Sequence, residues 1–303
     1  MKKRGVPQMR VGMIGVGLMG HGIASNLVSK GHSLTFLHHL GNQPTSDLES
    51  MGAARVATIA AVAEASEVVF LVVTGTPQVE EIVQGPGGLV ENMRDGLLVV
   101  DCSTALPSST EALAEAIERA GGGLVDAAMT RTPREAAEGR LNLLVGASAD
   151  QFRQIEPLLR CFAENVTHAG SVGAGHRLKL LHNFVSLGTV TLMSEAFACA
   201  KQAGISPDIF SDTLAKGGGW GAALERLRPY VLEGQTEHFR FSLSNASKDI
   251  GYYRVMAAGH GVSMGVADGV LADLTGLVAS GQGAAFMPTL ASLLCHAPGS
   301  KPL

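Results

Sequence analysis

The sequence of 303 residues predicts an α/β domain with a mostly parallel sheet, followed by an all-helical domain. Short apolar strands alternate with helices up to about residue 170, which is typical of βαβ units. Only helical segments follow that point. The glycine-rich segment Gly170–Gly175 separates the two patterns. It predicts a domain boundary, with domains at 8–172 and 173–303.

In the first part, each predicted strand is a short apolar run, and glycines stand where helices should end. Gly31, Gly52 and Gly121 follow predicted helices, and Pro107 suits a first helical turn. We predict strands at 9–15, 33–38, 67–73, 97–101, 124–128 and 141–146. Helices are predicted at 18–30 and 108–120, with a short helix between them that ends at Met51.

The second part begins with a long stretch, 176–202, that contains no proline and predicts a helix joining the two domains. No convincing strand follows it. Further helices are predicted at 207–215, 222–232, 244–258, 263–279 and 282–295.

Composition and charge exclude several classes of protein. The net charge of −4 argues against a nucleic-acid binder. The one dense basic cluster, Lys2–Arg4, is interpreted as a solvated tail. Together with the apolar stretch Val11–Ala24 it resembles a signal peptide, but His21 and several glycines interrupt that stretch. No run reaches the roughly 20 apolar residues of a membrane span. We expect a cytoplasmic protein without membrane contacts.

The four cysteines are Cys102, Cys161, Cys199 and Cys295, and their wide spacing matches no zinc site. An even number leaves disulfides open, but free thiols in a reducing compartment suit a chain of this length. No cluster of His, Cys and Asp has the spacing of metal ligands, so no metal is expected.

The loop Gly15-Val16-Gly17-Leu18-Met19-Gly20 matches the pattern G-x-G-x-x-G between a strand and a helix. The motif alone is weak, and a purely structural glycine turn is its alternative. At the start of a series of βαβ units it indicates a Rossmann-type dinucleotide site. There the glycines allow a tight turn and close approach to a diphosphate at the helix N-terminus.

The end of the second strand bears on the choice between NAD and NADP. An acidic residue there usually binds the NAD ribose, and an arginine usually accompanies NADP. This sequence has His38 and His39 instead. They favour NADP over NAD only weakly, and simple exposure is their alternative role.

The helix over 176–202 carries Lys179 and Asn183, four residues apart and therefore on one face. Its flanks are apolar, and a buried lysine is costly unless it has a partner or a task. Carbonyl reduction by hydride creates an alkoxide that needs a proton, which a lysine supplies as general acid. The alternative is that Lys179 extends to solvent along its apolar stem.

With these motifs the chain resembles the β-hydroxyacid dehydrogenase family from about residue 10 to 295. The resemblance rests on four motifs in order: Val11–Gly20, Asp101–Thr104, Gly170-x-x-Gly173-x-Gly175-x-x-x-Lys179-x-x-x-Asn183, and Lys248-Asp249.

The resemblance implies roles for individual residues. Lys179 would be the catalytic lysine and Asn183 its neighbour, in a cleft between the domains. The cofactor would be contacted by Lys248, whose alternative is an exposed lysine paired with a carboxylate, and by Val73, Thr74, Gln78 and Thr104. The substrate would be a small anionic hydroxyacid or semialdehyde, and the protein a homodimer or homotetramer.

The substrate loop departs from the family pattern Asp-x-Pro-Val-Ser-Gly-Gly. Thr130 stands in place of the serine, and Arg131 and Thr132 replace the two glycines. Arg131 offers a fixed charge and a donor fork to an anion, as in the similar sulfolactaldehyde reductase branch. The preferred acid would then carry a sulfonate, a phosphate or a second carboxylate. Alternatively, Arg131 points outward or pairs with Glu135.

Two other functions remain open at this point. Imine-reducing relatives share the fold but usually lack the lysine, so Lys179 argues against imine reduction. Non-catalytic relatives that sense or scaffold also replace the lysine. Substitution of Lys179 therefore discriminates between an enzyme and a cofactor-binding protein.

Overall fold

The computed structural model describes residues 7–296, so the basic cluster Lys2–Arg4 lies outside the described residues. The chain divides into two compact units, the first reaching to Lys179 and the second beginning at Leu180. This division falls inside a helix, later in the chain than the glycine-rich segment. The domain limits 8–172 and 173–303 stay a prediction.

The described part of the first unit forms one sheet of eight strands: β1 Arg10–Ile14, β2 Ser33–Leu37, β3 Ala54–Val56, β4 Val68–Leu71, β5 Leu98–Asp101, β6 Gly123–Thr130, β7 Leu141–Gly146 and β8 Ala163–Gly170. Their order across the sheet is β3-β2-β1-β4-β5-β6-β7-β8. All neighbouring pairs are parallel except β6 and β7, which are antiparallel. The mostly parallel sheet is therefore confirmed.

Two apolar cores cover the two faces of this sheet. Alternate residues of β4 divide between them, with Val68 and Phe70 in one core and Val69 and Leu71 in the other. All four are fully buried, as expected for a central parallel strand. The helices are α1 Gly20–Ser29, α2 Ser46–Ser50, α3 Ile59–Ala65, α4 Thr76–Gln84, α5 Pro107–Arg119, α6 Pro133–Ala137 and α7 Ala149–Leu159.

The long predicted helix is present as α8, Ala174–Gln202, which runs through the division between the units. Helices also dominate the rest of the second unit, which confirms the helical C-terminal region. They are α9 Pro207–Ala215, α10 Ala222–Glu233, α11 Leu243–Gly259, α12 Gly265–Leu277 and the short α13 Leu290–Leu293.

The predicted helix over 282–295 is wrong. A wide helical turn ends at Gln282, Gly281 has φ 88°, and the chain then extends so that Phe286 bridges Ser242. Pro288 follows within a 3-10 turn and lacks the amide that a helix interior needs. Gly281, in a left-handed conformation, and Pro288 therefore divide an apolar run whose sequence resembles one helix.

No helix within residues 7–296 is both long enough and apolar enough to cross a membrane.

Candidate active site

The topology of the first unit brings four loops to one edge of the sheet. β1, β4, β5 and β6 are mutually parallel, so the segments that follow them leave the sheet at the same edge. These segments carry the glycine loop, the predicted cofactor contacts and the substrate loop. Two of them also touch: the Val73 amide donates to Ser103 Oγ at 3.1 Å. The Leu106 amide donates to Thr76 Oγ1 at 2.8 Å.

The predicted cofactor contacts after β4 and β5 differ in exposure. Thr74 and Gln78 are exposed, while Val73 and Thr104 are half-buried. The unit thus presents polar side chains and a partly covered valine at the edge where a dinucleotide would lie. Contact with a cofactor stays a prediction for each of them.

The glycines of the first loop face different surroundings. A Cβ at Gly15 would lie 2.2 Å from the Val72 carbonyl oxygen, and Gly15 has φ 101°. A Cβ at Gly20 would lie 2.0 Å from the Gly15 carbonyl oxygen. A Cβ at Gly17 meets nothing within 4 Å. Packing therefore requires Gly15 and Gly20 but leaves open space beside Gly17.

The start of α1 fits the diphosphate of NAD(P). No side chain caps the helix there, so amide groups and the positive end of the helix dipole remain available to an anion. Leu18 is 62% exposed, and Met19 is half-buried against the core. The open space beside Gly17 leaves room for a bound diphosphate, and contact between Gly17 and a cofactor stays a prediction.

The loop after β2 holds His38 and His39, both exposed. The His39 ring accepts a hydrogen bond from the Gly41 amide at 2.9 Å. Asn42 connects this loop to the glycine loop: its Oδ1 accepts from the Val16 amide at 3.2 Å, and its Nδ2 donates to the Leu37 carbonyl at 3.0 Å. Sequence reasoning missed Asn42, because no pattern marks a loop asparagine as a bridge.

In the substrate loop, Thr130 ends β6, and its hydroxyl accepts from Asn142 Nδ2 at 3.2 Å. Arg131 has φ 81°, a left-handed conformation that favours glycine. Its guanidinium donates to Glu164 on β8 and to the Arg140 carbonyl. The alternative pairing of Arg131 with Glu135 is therefore wrong.

Glu135 instead closes the first turn of α6. Its carboxylate accepts from the Thr132 amide at 3.0 Å and from the Thr132 hydroxyl. Partial burial raises the pKa of Glu135, but the hydrogen bonds from Thr132 outweigh burial and hold that pKa below its usual value. The carboxylate is therefore ionised at neutral pH, and Thr132 is fixed at the start of α6.

Lys179 is only 7% exposed on α8, so the alternative that it extends to solvent is wrong. Asn183 follows one helical turn later and is 4% exposed. Its Nδ2 donates to Asp249 Oδ2 at 2.6 Å. Sequence reasoning noted Asp249 only as part of a motif and missed that it orients Asn183.

Lys248 lies 2.7 Å from Asp249 Oδ1, and its side chain is 21% exposed. Its ammonium also stands 5.0 Å from the centre of the Tyr252 ring. This matches the alternative of a lysine paired with a carboxylate, except that Lys248 is half-buried rather than exposed. Contact between Lys248 and a cofactor stays a prediction.

Within residues 7–296 no group of three His, Cys, Asp or Glu side chains could hold a metal ion. The four cysteines are not bonded to each other. Burial raises the pKa of Cys102 well above its ordinary value, and the charge of Asp101 raises it further. Cys102, although it follows β5 at the site edge, is therefore a thiol rather than a nucleophile.

Two family models match the chain. The model described as the NAD binding domain of 6-phosphogluconate dehydrogenase matches residues 10–170. The model described as the NAD-binding of NADP-dependent 3-hydroxyisobutyrate dehydrogenase matches residues 173–290. Together they span both units.

Individual relatives agree with these models. The 2-hydroxy-3-oxopropionate reductase of Escherichia coli (strain K12) is 34% identical over 200 residues, 66% of this chain and 68% of the relative. The 2-(hydroxymethyl)glutarate dehydrogenase of Eubacterium barkeri is 28% identical over 80% of each chain. The fold resembles the crystal structure of 3-hydroxyisobutyrate dehydrogenase from Salmonella typhimurium, with TM-score 0.82, 24% identity, and coverage of 94% of this chain and 99% of that one. The chain belongs to the β-hydroxyacid dehydrogenase family of NAD(P)-dependent oxidoreductases, which act on CH–OH groups.

Proposed function

We propose that the protein interconverts a small β-hydroxyacid and its semialdehyde, with Lys179 as the proton-transfer residue. The observation that carries this proposal is the burial of Lys179, which is 7% exposed on the helix that follows the glycine-rich segment. A buried lysine in a dehydrogenase fold is a candidate for acid–base chemistry. It would supply the proton that an alkoxide needs after hydride addition.

Each residue then has one task. Gly17 leaves open space for the diphosphate of NAD(P), while Gly15 and Gly20 allow the tight turn around it. The nicotinamide of the bound cofactor would accept or donate the hydride. Lys179 donates a proton to the substrate oxygen during reduction and takes it back during oxidation. The Asn183 amide group donates to Asp249 at 2.6 Å, and its oxygen lies 3.1 Å from His182 Nδ1, so neighbours hold both ends of this side chain in place.

The substrate class is proposed from the loop after β6. Thr130, Arg131 and Thr132 would bind the acid group at the edge where the cofactor loops also end. Arg131 keeps its side chain although its backbone conformation favours glycine. Glu164 and the Arg140 carbonyl accept from its guanidinium, and we propose that the remaining donors of this group bind a second anionic group on the acid: a sulfonate, a phosphate or another carboxylate.

NADP is the cofactor that we favour. No carboxylate stands directly after β2, where NAD enzymes usually have one, and the exposed His38 and His39 stand there instead. The description of the second matching family model also names an NADP-dependent enzyme.

We propose a homodimer or homotetramer in the cytoplasm. Leu181, Val185 and Leu192 lie on one side of α8 and are 47%, 66% and 67% exposed. An apolar stripe of this kind is typical of an interface between copies. The separate thiols suit a reducing compartment.

The test is an oxidation assay with 3-hydroxyisobutyrate, glycerate, 3-hydroxypropionate and 2,3-dihydroxypropane-1-sulfonate, each with NAD and NADP. We expect turnover of at least one acid, with loss of about 100-fold or more in Lys179→Ala. Binding of NAD(P)H, followed by its fluorescence, should stay within twofold.

Lys201→Ala is the matched control, because Lys201 is an exposed lysine near the other end of the same helix. It should keep wild-type turnover. Cofactor binding without turnover of any acid would favour the non-catalytic alternative. Turnover of cyclic imines that survives in Lys179→Ala would favour imine reduction.

A further inference from the structure

Asp126 is a buried carboxylate that holds the beginning of α8. It lies on β6 and is 0% exposed. Its Oδ1 accepts from the Gly173 amide at 2.6 Å, and its Oδ2 accepts from the His176 amide at 2.7 Å. Such charge-assisted bonds satisfy amides that a helix leaves unpaired at its start, and a negative charge there suits the helix dipole.

Two glycines make room for this carboxylate. A Cβ at Gly146 would lie 2.3 Å from Asp126 Oδ1. A Cβ at Gly175 would lie 2.3 Å from the Leu144 carbonyl oxygen and 2.7 Å from Asp126 Oδ2. Gly175, in the first turn of α8, therefore allows the close approach of the helix to β6 and β7.

His176 connects the same helical turn to β5 and α5. Its ring is fully buried. Nδ1 lies 2.8 Å from Thr110 Oγ1, and Nε2 lies 3.2 Å from the Ser103 carbonyl and 3.9 Å from Asp101 Oδ2. Ser103 Oγ in turn accepts from the Val73 amide. The first turn of α8 is thus bonded to the segments that carry the predicted cofactor contacts.

Burial raises the pKa of Asp126 above its ordinary value, although the charge of His176 and the two amide bonds oppose this. An acid whose pKa is raised by folding destabilises the native state once pH exceeds the unfolded pKa. An ionised Asp126 is therefore a cost to stability at neutral pH.

We propose that Asp126 is a positioning residue for Lys179, an inference that rests on the proposed function. Lys179 follows His176 by three residues, so it lies one turn along the helix on the same side. By fixing the first turn through two amides, Asp126 sets the position of the ammonium relative to the cofactor loops of the first unit. A misplacement of about 1 Å costs roughly 100-fold in rate.

Asp126→Asn tests this inference. The amide keeps the shape of the side chain, but its NH2 group faces a backbone donor, so one bond is lost. We expect kcat to fall about 10- to 100-fold, while the Kd of NAD(P)H stays within twofold. Ser148→Ala is the matched control, because it removes the side-chain cap of α7, which carries no predicted site residue. It should lower stability and leave kcat unchanged.

A double-mutant cycle separates positioning from general damage. In the Lys179→Ala background, Asp126→Asn should change the residual single-turnover rate less than twofold. An equal loss in both backgrounds would overturn the inference. Wild-type turnover by Lys179→Ala alone would instead overturn the proposed function. If Asp126→Asn does not fold, Thr110→Val, which removes a partner of the His176 ring, should lower kcat with the same lack of additivity.

Discussion

Gly15, Gly17 and Gly20 have different surroundings within the glycine loop. Gly15 adopts a left-handed φ and packs against the Val72 carbonyl, whereas Gly17 borders open space. Gly20 approaches the Gly15 carbonyl. Of these three glycines only Gly17 has no protein neighbour, and we propose that a bound diphosphate is the reason for its missing side chain.

Gly17→Val should therefore fold normally and bind cofactor weakly. We expect the Kd of NAD(P)H to rise at least tenfold, about 1.4 kcal/mol, with an unchanged urea midpoint. Gly20→Ala should instead lose about 1–3 kcal/mol of stability through overpacking. As control, Gly269→Ala lies in open space on α12 and should leave binding unchanged. An equal Kd of NAD(P)H for Gly17→Val and the wild type would show that the diphosphate does not bind at this position.

The sequence predicts residues whose local pattern is informative and misses those whose role depends on a distant partner. The glycine loop and Lys179 stand in ordered motifs. The burial of Lys179 depends on packing around α8, so the sequence left its exposure open. The partner of Arg131 is Glu164, on a strand that the sequence did not show. Asp126 reaches Gly173 across 47 residues.

The central strands and the long helices are predictable from this sequence, and the edge strand β8 is not. β4 is apolar on both faces because it is covered on both sides, and α8 contains no proline. β8 was missed because it is an edge strand with mostly exposed polar residues, AENVTHAG. The helix predicted over 282–295 was wrong because a glycine and a proline interrupt the apolar run after α12.

The loop between β6 and α6 should determine which acid is preferred. Arg131→Gly relieves the left-handed backbone and removes the guanidinium. We expect kcat/KM for 2,3-dihydroxypropane-1-sulfonate to fall about 10- to 100-fold relative to 3-hydroxyisobutyrate, since hydrogen bonds to charged groups contribute about 1.5–3 kcal/mol. Arg134→Ala, three residues later and paired with Glu138, is the control. An unchanged ratio of the two kcat/KM values would mean that Arg131 does not contribute to selectivity between the acids.

At the scale of the whole molecule, the apolar stripe on α8 predicts an assembly of copies. Large apolar side chains are exposed on the part of α8 that belongs to the second unit: Leu181, Val185 and Leu192. In light scattering after size exclusion, the wild type should have the mass of a dimer or tetramer, and Val185→Glu with Leu192→Glu the mass of a monomer. Ile209→Glu, equally exposed on α9, should keep the assembly. A monomeric wild type would contradict this prediction.

Lys179 is proposed to transfer the proton that accompanies hydride transfer. The most direct measurement is the single-turnover rate of NAD(P)H formation, with saturating cofactor and the best acid, in wild type and Lys179→Ala. We expect the rate to fall about 100- to 10,000-fold while cofactor affinity is retained. Equal rates in the two proteins would show that another group moves the proton.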